Sequence, residues 1–404
     1  MLPLQGLTVV DLSTVVFGPL ASQILGDYGA TVIKVESPEG DSTRRTGPAR
    51  EEGMAALFLG TNRNKKSVVL DLRRDEARAA LQQLVARADV FMHSMRPQKL
   101  ARLGIDAQTL LERHPRLVYA GLHGFAQGGP YAGKPAYDDV IQGMSGIADL
   151  MQQQGGTARY LPMVAADKTC GHVAAHAILA ALMRRERSGQ GGFVEIPMFE
   201  SMVGFNLVEH LYGQHFAPAL AGAGYPRVMA PARRPYATSD GYVAMMPYTD
   251  AHWQRFFAET GRPELAEDAR FCSMAQRTAH IEALLDIAAG LIGARSSEYW
   301  LQTCERLEIP VAPITRLADL QSDPQLQALA FFQRLDDPAM GALNFPSNPV
   351  RFDGQRLPLR VPPRLGEHTR ACLLEAGLAP QLIDQLLDAG QRSASPALQD
   401  GDFR

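Results

Sequence analysis

Short β-branched runs alternate with helical patterns over the first 120 residues, and this alternation limits the possible fold more than any other feature. The apolar run Leu7–Leu12 is followed by a helical pattern that opens at Gly18-Pro19, and a second run follows at Thr31–Glu36. Proline suits the first helical turn because its missing N–H would have no partner there anyway. Strands that alternate with helices predict an α/β fold with a large domain built on a doubly wound parallel sheet.

The remaining elements of this domain follow the same pattern. Further strands are predicted at Ser67–Leu72, Asp89–His93, Leu117–Leu122 and Phe193–Pro197. The segments between and after them have helical periodicity: Asp75–Arg87, Pro97–Arg113, Asp138–Met151, Cys170–Arg187 and Phe199–Tyr212. Parallel sheets of this kind bind ligands at the carboxyl ends of their strands, so the functional site is expected there.

The composition and the periodicity of the sequence change near residue 215. Residues 216–234 are rich in Ala, Gly and Pro and lack a clear period, and a strand is predicted at Gly241–Pro247. We therefore predict four parts. The first part of the large domain covers 1–214, a linker 215–235, and a smaller α/β domain 236–325. The return linker and the C-terminal part of the large domain cover 326–404.

Charge and cysteine content narrow the classes of partner. Forty basic and 43 acidic residues leave a net charge of −3, so no net field draws the protein to nucleic acid or to an anionic membrane. The four cysteines form no CxxC pair, which argues against a metal site or a disulfide framework. The N-terminal segment lacks the pattern of a secretory signal, and we expect a cytoplasmic protein without nucleic-acid or membrane partners.

Asp167 is the residue with the clearest chemical potential, because it stands just before a long apolar helical pattern. One interpretation is an N-cap that accepts hydrogen bonds from the first free N–H groups. In the other, the helix N-terminus keeps the carboxylate ionised, and the carboxylate acts as a nucleophile in a cleft.

Two other segments point to the same end of the sheet. Residues 121–133 are rich in glycine, which permits close approach of a ligand but also marks ordinary surface loops. Basic side chains cluster near the predicted sheet ends, and two or three of them could hold phosphates although most should be solvated: Arg44, Arg45, Arg63, Lys65, Lys66, Arg73, Arg96 and Arg102.

Taken together, these segments resemble the family III CoA-transferases, also called the CaiB/BaiF family. The resemblance is carried by residues 4–44, by NRNKKSVVLDL at 62–72 and by ADVFMHSMRPQKLARLGI at 88–105. It continues through GFAQGGPYAGKPAYDDVIQGMSGI at 124–147 and AADKTCGHVAAHAILAALMRRERSG at 165–189, and it ends with LGEHTR at 365–370. One departure is the segment His93-Ser94-Met95, which usually reads ENF in the family.

The resemblance implies a fold, an assembly and a site. The fold would be a large and a small domain joined by long linkers, in an interlocked homodimer. No metal or permanently bound cofactor is expected, and coenzyme A would be a co-substrate. Asp167 matches the family's nucleophile, and the implied CoA contacts lie in the first domain: Val16, Phe17, Arg73, Met95, Arg102, Lys134, Tyr137 and Asp138.

The resemblance also suggests an acid. The chain looks most like relatives that act on small C4–C5 dicarboxylates such as itaconate, mesaconate, succinate or glutarate. Arg227, Arg233 and Arg234 stand at the entry to the small domain, and a guanidinium can hold a second carboxylate with two hydrogen bonds. The alternative is that these arginines pair with surface acids.

Two other functions stay open at this point. The α-methylacyl-CoA racemases look similar, but they need a histidine and an aspartate as two bases, and Tyr137 stands where that histidine is expected. The third possibility is a non-catalytic acyl-CoA-binding protein.

Overall fold

A computed structural model describes residues 2–355 and 358–393, so the end of the predicted last segment, 394–404, lies outside it. Its strands are, in chain order, β1 (Thr8–Leu12), β2 (Thr31–Glu36), β3 (Lys65–Val69), β4 (Val90–His93), β5 (Val118–His123), β6 (Gly192–Pro197), β7 (Tyr236–Ala237), β8 (Tyr242–Met245), β9 (Val311–Pro313), β10 (Phe332–Asp337) and β11 (Gly341–Pro346).

The α-helices are α1 (Phe17–Asp27), α2 (Ala56–Thr61), α3 (Asp75–Val85), α4 (Pro97–Leu103), α5 (Ala107–Arg113), α6 (Asp138–Met144), α7 (Ile147–Gly155), α8 (Ala165–Ser188), α9 (Met198–His210), α10 (Pro226–Met229), α11 (Asp250–Glu259), α12 (Met274–Ala279), α13 (Ile281–Gly293), α14 (Ser297–Arg306), α15 (Pro324–Ala328), α16 (Thr369–Glu375) and α17 (Pro380–Ser393). Short 3-10 helices occupy Ser42–Arg45, Tyr212–His215, Pro263–Ala266 and Leu317–Ser322. Among the described helices, none is long and apolar enough to cross a membrane.

The chain packs as two units. The first takes in the described residues up to Ser145, Leu161–Val203 and those from Ala328 onward, and the second takes in Gly146–Tyr160 and Gly204–Gln327. The division therefore falls within α9 and α15, and α7 belongs to the second unit. The domain boundaries at 214, 235 and 325 remain predictions.

A parallel sheet forms the centre of the first unit. In the described residues it has six strands in the order β3-β2-β1-β4-β5-β6, which confirms the predicted α/β fold. Val10, Phe91 and Val118 are fully buried, because helices cover both faces of such a sheet. The strand order reverses between β1 and β4, where Leu12 lies beside His93. Crevices at this point, outside the carboxyl ends of the strands, are where doubly wound folds bind ligands.

Two predicted helices are each divided into a pair. The helix predicted over Pro97–Arg113 is α4 and α5, and the one over Asp138–Met151 is α6 and α7. Gly104 and Gly146 stand at the two breaks with φ of 64° and 94°. Glycine adopts this left-handed conformation without strain and so ends a helix even where the apolar period continues.

The hairpin of β10 and β11 has no counterpart in the sequence prediction. Its turn is stabilised by Asp337, whose carboxylate accepts the N–H groups of Ala339 and Met340 at 3.0 and 2.9 Å. Arg364 holds this carboxylate and Glu51 at once, each at 2.7 Å. The pair of Arg364 with Glu51 thus ties the return segment to the N-terminal part of the first unit, and no periodicity reveals it.

The second unit has its own apolar core. Strands β7, β8 and β9 form an antiparallel sheet. The core is built from aromatic and aliphatic side chains of the surrounding helices, with Trp253, Phe256 and Trp300 among them. The second unit therefore has a core and a sheet of its own.

Candidate active site

A cavity of about 220 Å³ lies at the carboxyl ends of β1, β4 and β5. The loop after β1 contributes Thr14 and Val15, the loop after β4 contributes Ser94 and Met95, and Asp167 lines the cavity from α8. The cavity therefore lies at the strand-order reversal of the first unit, where the fold itself predicts a ligand site.

Asp167 occupies the first turn of α8 and is not an N-cap. The cap is Val164, whose side chain makes no capping hydrogen bond, and the backbone N–H of Asp167 is bound by Asp138 Oδ1 at 2.9 Å. The capping interpretation is therefore wrong. A cap at Asp167 would require the helix to begin at Lys168, but α8 begins three residues earlier, at Ala165. The Asp167 carboxylate does not cap its own helix, and it lines the cavity.

The protonation of Asp167 also differs from the sequence expectation. The side chain is only 7% exposed, and burial, with the nearby Asp138 carboxylate as a second cause, raises the pKa of Asp167 from 3.8 to about 7. Desolvation disfavours the charged form more than the helix N-terminus favours it. Near neutral pH the carboxylate is about half protonated, and once ionised it is poorly solvated and therefore reactive.

Gln142 holds the segment that precedes α8. Its amide nitrogen donates to Asp138 Oδ2 and to the carbonyl of Met163, and its amide oxygen accepts the N–H of Leu161 at 2.9 Å. Gln142 is fully buried, so each of these groups would be unsatisfied without its partner. A single buried amide thus links the start of α6 to the segment before Asp167.

Val15 is a strained residue in the cavity wall. Its φ is 72°, a region that β-branched side chains rarely adopt. The carboxylate of Asp41 accepts the N–H of Val15 at 3.2 Å and is itself paired with buried Lys34 at 2.9 Å. Burial alone would raise the pKa of Asp41, but Lys34 and the hydrogen bonds of Thr43 keep that pKa below 3.8. An ionised, anchored carboxylate therefore holds the strained turn in place.

Several basic residues that were phosphate candidates are committed to buried pairs. Arg44 binds Glu36 at 2.7 Å, Arg63 binds Asp27 at 2.6 Å, and Lys65 lies 3.6 Å from Asp11. These side chains are between 0% and 9% exposed, so the sequence interpretation as possible phosphate ligands is wrong for all three. Each of these charges can be buried because it pairs with an acid of a neighbouring element: Glu36 in β2, Asp27 at the end of α1 and Asp11 in β1.

The glycine-rich loop is anchored by two acids. Glu200 accepts the N–H of Ala126 at 3.1 Å, and Glu195 accepts the N–H of Gln127 at 2.7 Å. Neither of these two amides is therefore free to bind a ligand.

The implied CoA contacts divide between two neighbouring cavities. Phe17, Lys134 and Tyr137 line the Asp167 cavity, and Arg73 and Arg102 line a second cavity of about 620 Å³. Met95 and Thr14 line both, so the two cavities adjoin.

Three of these implied contacts have environments that alter the expectation. Val16 is 3% exposed and lines neither cavity, so its side chain is not available as a contact. Asp138 acts through the backbone of Asp167 and is not part of the cavity lining. Arg73 is exposed but already binds Asp71 through two nitrogens, at 2.7 and 2.9 Å.

A third cavity, of about 70 Å³, lies within the second unit and is lined by Arg227, Arg233 and Arg234. Arg277 joins them, a residue that the sequence did not single out. In the described part of the chain, no ion pair engages the first three. Within the described residues, Arg227, Arg233 and Arg234 therefore do not pair with surface acids.

His123 is the main cavity residue that sequence reasoning missed. It ends β5 and lines the Asp167 cavity, although it is only 8% exposed. A histidine at the end of a buried strand was the available signal, since carboxyl ends of parallel strands carry functional side chains.

The sequence matches one family model across most of its length. Residues 4–369 match the model described as CoA-transferase family III. The chain is 32% identical over 388 residues to the succinate–glutarate CoA-transferase of Agrobacterium fabrum, covering 92% of this chain and 95% of that protein. It is 33% identical over 377 residues to the acetyl-CoA:oxalate CoA-transferase of Acetobacter aceti, covering 91% and 94%.

A solved structure agrees with these sequence matches. The crystal structure of a CAIB/BAIF family protein from Brucella suis superimposes with a TM-score of 0.76 and 32% identity, over 93% of this chain and 99% of that one. The sequence and the fold thus lead to the same assignment: this chain is an enzyme that belongs to CoA-transferase family III.

Proposed function

We propose that the enzyme transfers coenzyme A from an acyl-CoA thioester to a small dicarboxylic acid, with Asp167 as the nucleophile. The observation that carries this proposal is a nearly buried carboxylate, free of helix capping, in the wall of the cavity at the strand-order reversal. A nucleophilic carboxylate divides one difficult transfer into steps that each retain the acyl energy.

The chemistry follows from that carboxylate. Ionised Asp167 attacks the thioester carbon, the C–S bond breaks, and a mixed anhydride and CoA thiolate form. The thiolate then attacks the aspartyl carbon and releases the donor acid, which leaves an aspartyl-CoA thioester. The incoming carboxylate displaces the thiolate to form a second anhydride. Attack of the thiolate on the new acyl carbon produces the new thioester and restores Asp167, with no net proton transfer.

Every intermediate in this sequence is sensitive to hydrolysis, so the site must limit access of water. The small volume of the Asp167 cavity and the burial of Asp167 favour such protection. We place the thiol end of coenzyme A here and its phosphate-bearing end in the adjoining cavity of Arg102, with Met95 between them. Arginine suits that role because its guanidinium binds phosphate oxygens with two hydrogen bonds.

The test of this function is an exchange assay. Succinyl-CoA is incubated with the enzyme and with a panel of acids that includes glutarate, itaconate, mesaconate and oxalate, and new thioesters are identified by mass spectrometry. We expect CoA exchange that depends on the added acid. Free CoA formed at the same rate without any acid would show hydrolysis and contradict the proposal.

We assign binding of the dicarboxylic acid to the arginine cavity of the second unit. Each of Arg227→Met, Arg233→Met and Arg234→Met removes one charge while preserving much of the side-chain length. A charge-assisted hydrogen bond contributes about 1.5–3 kcal/mol, so at least one variant should raise the KM for the dicarboxylate by about 10- to 100-fold. Steady-state kinetics with a dicarboxylic and a monocarboxylic acid measure the effect.

The control for this set is Arg316→Met, since Arg316 is 81% exposed in the same unit and does not line the arginine cavity. Turnover of the monocarboxylic acid should not change in any variant. If all three cavity variants keep the dicarboxylate KM of the unaltered enzyme, the assignment of these arginines is wrong.

We also propose that the enzyme works as an interlocked homodimer. In the second unit, α9 exposes two large apolar side chains three residues apart on one helix face, Phe205 at 58% and Val208 at 76%, and a shared apolar face of this kind is typical of an interface. The expected result is a native mass of twice 44.0 kDa by light scattering at assay concentration. A fully active species of single-chain mass would exclude this assembly.

One observation supports a second candidate function. His123 and Asp167 line the same cavity, and a two-base isomerase needs a histidine and an aspartate. Incubation of a 2-methylacyl-CoA in D₂O distinguishes the two functions. Deuterium at the α-carbon without CoA exchange would support the isomerase, and the reverse result would support the transferase.

A further inference from the structure

His123 lies in an unusual arrangement of strand residues. His93, Gly121 and Glu195 are register partners across β4, β5 and β6, so they share one face of the sheet. Gly121 leaves the middle of this row without a side chain, and the imidazole of His123 folds back over it. A Cβ atom at residue 121 would lie 2.7 Å from Nε2 of His123, so the ring position requires glycine there.

This packing sets the orientation of the imidazole. The edge that carries Nε2 and Cδ2 lies against Gly121, so Nδ1 is on the opposite edge of the ring. The ring of His93 packs at 5.6 Å between centroids, with an angle of 61°. Within the described residues, neither nitrogen of His123 is in a hydrogen bond with the protein, although the residue is nearly buried.

The charged and titratable groups around His123 keep it neutral. Burial lowers the pKa of His123, and the Glu195 carboxylate opposes this effect only in part. Burial, followed by the neighbouring His123, lowers the pKa of His93 to about 3, and His93 Nδ1 accepts the N–H of Met95. A neutral imidazole has one N–H to donate, and in His123 that donor has no partner among the described residues.

Asp167 and His123 line one small cavity, and two amides of the glycine-rich loop are already bound by acids. Resting on the proposed function, we infer that His123 is a further catalytic residue: its Nδ1–H, on the ring edge away from Gly121, binds the acyl oxygen while Asp167 attacks the carbon. As the C–O bond forms, the carbonyl π electrons move onto that oxygen, and the hydrogen bond strengthens. The proton stays on His123 throughout, so the residue is a donor and not a base.

The test uses three replacements of His123 and one of Gly121. His123→Leu removes the donor, His123→Asn retains a donor near the position of Nδ1, and His123→Gln retains one near Nε2. Gly121→Ala leaves the histidine in place but displaces its ring. Each protein is compared by circular dichroism and by steady-state kinetics with succinyl-CoA and an acid that the unaltered enzyme accepts.

We expect His123→Leu to lower kcat about 100-fold with little change in the KM for succinyl-CoA, as for loss of one oxyanion donor. His123→Asn should recover at least about tenfold of that loss and should exceed His123→Gln, because Nδ1 is the proposed donor. Gly121→Ala should lower kcat similarly, and His114→Leu, outside the cavity lining, should not.

Retention of kcat within about threefold in folded His123→Leu would overturn the inference, and so would a change confined to KM. α-Deuterium exchange that depends on His123 would also overturn it, because it would make the residue a base. The proposed function fails by a separate result, namely that the unaltered enzyme transfers CoA to none of the acids in the panel. Loss of exchange in Asp167→Asn combined with full exchange in His123→Leu would reject the role of His123 alone.

Discussion

Asp167→Asn should lower the rate of CoA exchange by about 10⁴-fold or more, because an amide oxygen cannot act as the nucleophile and no other group can form the aspartyl intermediate. The substitution keeps the shape of the side chain, so the cavity stays intact and acyl-CoA binding should persist. The measurement is the initial rate of new thioester formation, with the dissociation constant for acyl-CoA determined by calorimetry.

The matched control is Asp139→Asn, the same chemical change at an exposed residue of α6. It should leave the rate unchanged. Asp167→Ala guards against slow deamidation of the new asparagine back to aspartate. In the unaltered enzyme, hydroxylamine should trap the activated Asp167 carboxyl as a mass change on its peptide. Exchange at the normal rate in Asp167→Ala would end the proposal that this residue is the nucleophile.

The same substitution should stabilise the folded enzyme at alkaline pH. The ordinary pKa of an aspartate is 3.8, and burial with Asp138 raises the pKa of Asp167 to about 7. Between these values the folded protein holds a proton that the unfolded chain has lost, so stability falls as the pH rises through this window. Three units of pKa correspond to about 4 kcal/mol, the full cost above pH 7. The neutral amide of the Asp167→Asn variant avoids this cost.

We therefore expect Asp167→Asn to exceed the unaltered enzyme by about 2–4 kcal/mol in unfolding free energy at about pH 8, and to match it near pH 4. Thermal midpoints measured across this range check the prediction. For a protein of this size the gain corresponds to several degrees. Asp139→Asn again provides the control, since it makes the same chemical change at an exposed position of α6. A difference between the variants that does not vary with pH would show that Asp167 ionises normally.

The loss of exchange rate and the gain of stability expected for Asp167→Asn have one physical cause. Desolvation destabilises the ionised carboxylate and also leaves it without the water that would otherwise blunt its reactivity. Natural active sites often combine function with local instability for this reason. If Asp167 is the nucleophile, the exchange rate should rise between about pH 6 and pH 8, because only an ionised carboxylate can attack.

Much of the fold could be predicted from local pattern. The β-branched runs at Leu7–Leu12 and Thr31–Glu36 are buried on both faces of the sheet, and such runs have few alternatives to a parallel strand. The helix breaks at Gly104 and Gly146 were not predicted, because an apolar period that continues across a glycine hides the break. The hairpin of β10 and β11 was also missed, since its turn is held by Arg50, which binds the carbonyl of Met340 from 290 positions away.

The candidate site was only partly predictable. Asp167 could be named from its position before an apolar run together with a family resemblance. Whether Arg44 and Lys65 are free to bind phosphate could not be predicted. The local sequence around a basic residue at a sheet end does not distinguish a solvated side chain from one that is buried in an ion pair. His123 carries no motif, and its importance depends on the missing side chain of Gly121, two residues earlier on the same strand.

The order of apolar and polar residues thus determined the parallel sheet and the edge of that sheet where a ligand site is expected, and together with the family resemblance it singled out Asp167 as the candidate nucleophile. These depend on periodicity and strand direction, which are local properties of the chain. The tertiary structure decided the protonation of Asp167, the pairing of the basic residues and the exposure of His123 to the cavity. Those properties depend on which distant groups share a low-dielectric space, and only packing brings such groups together.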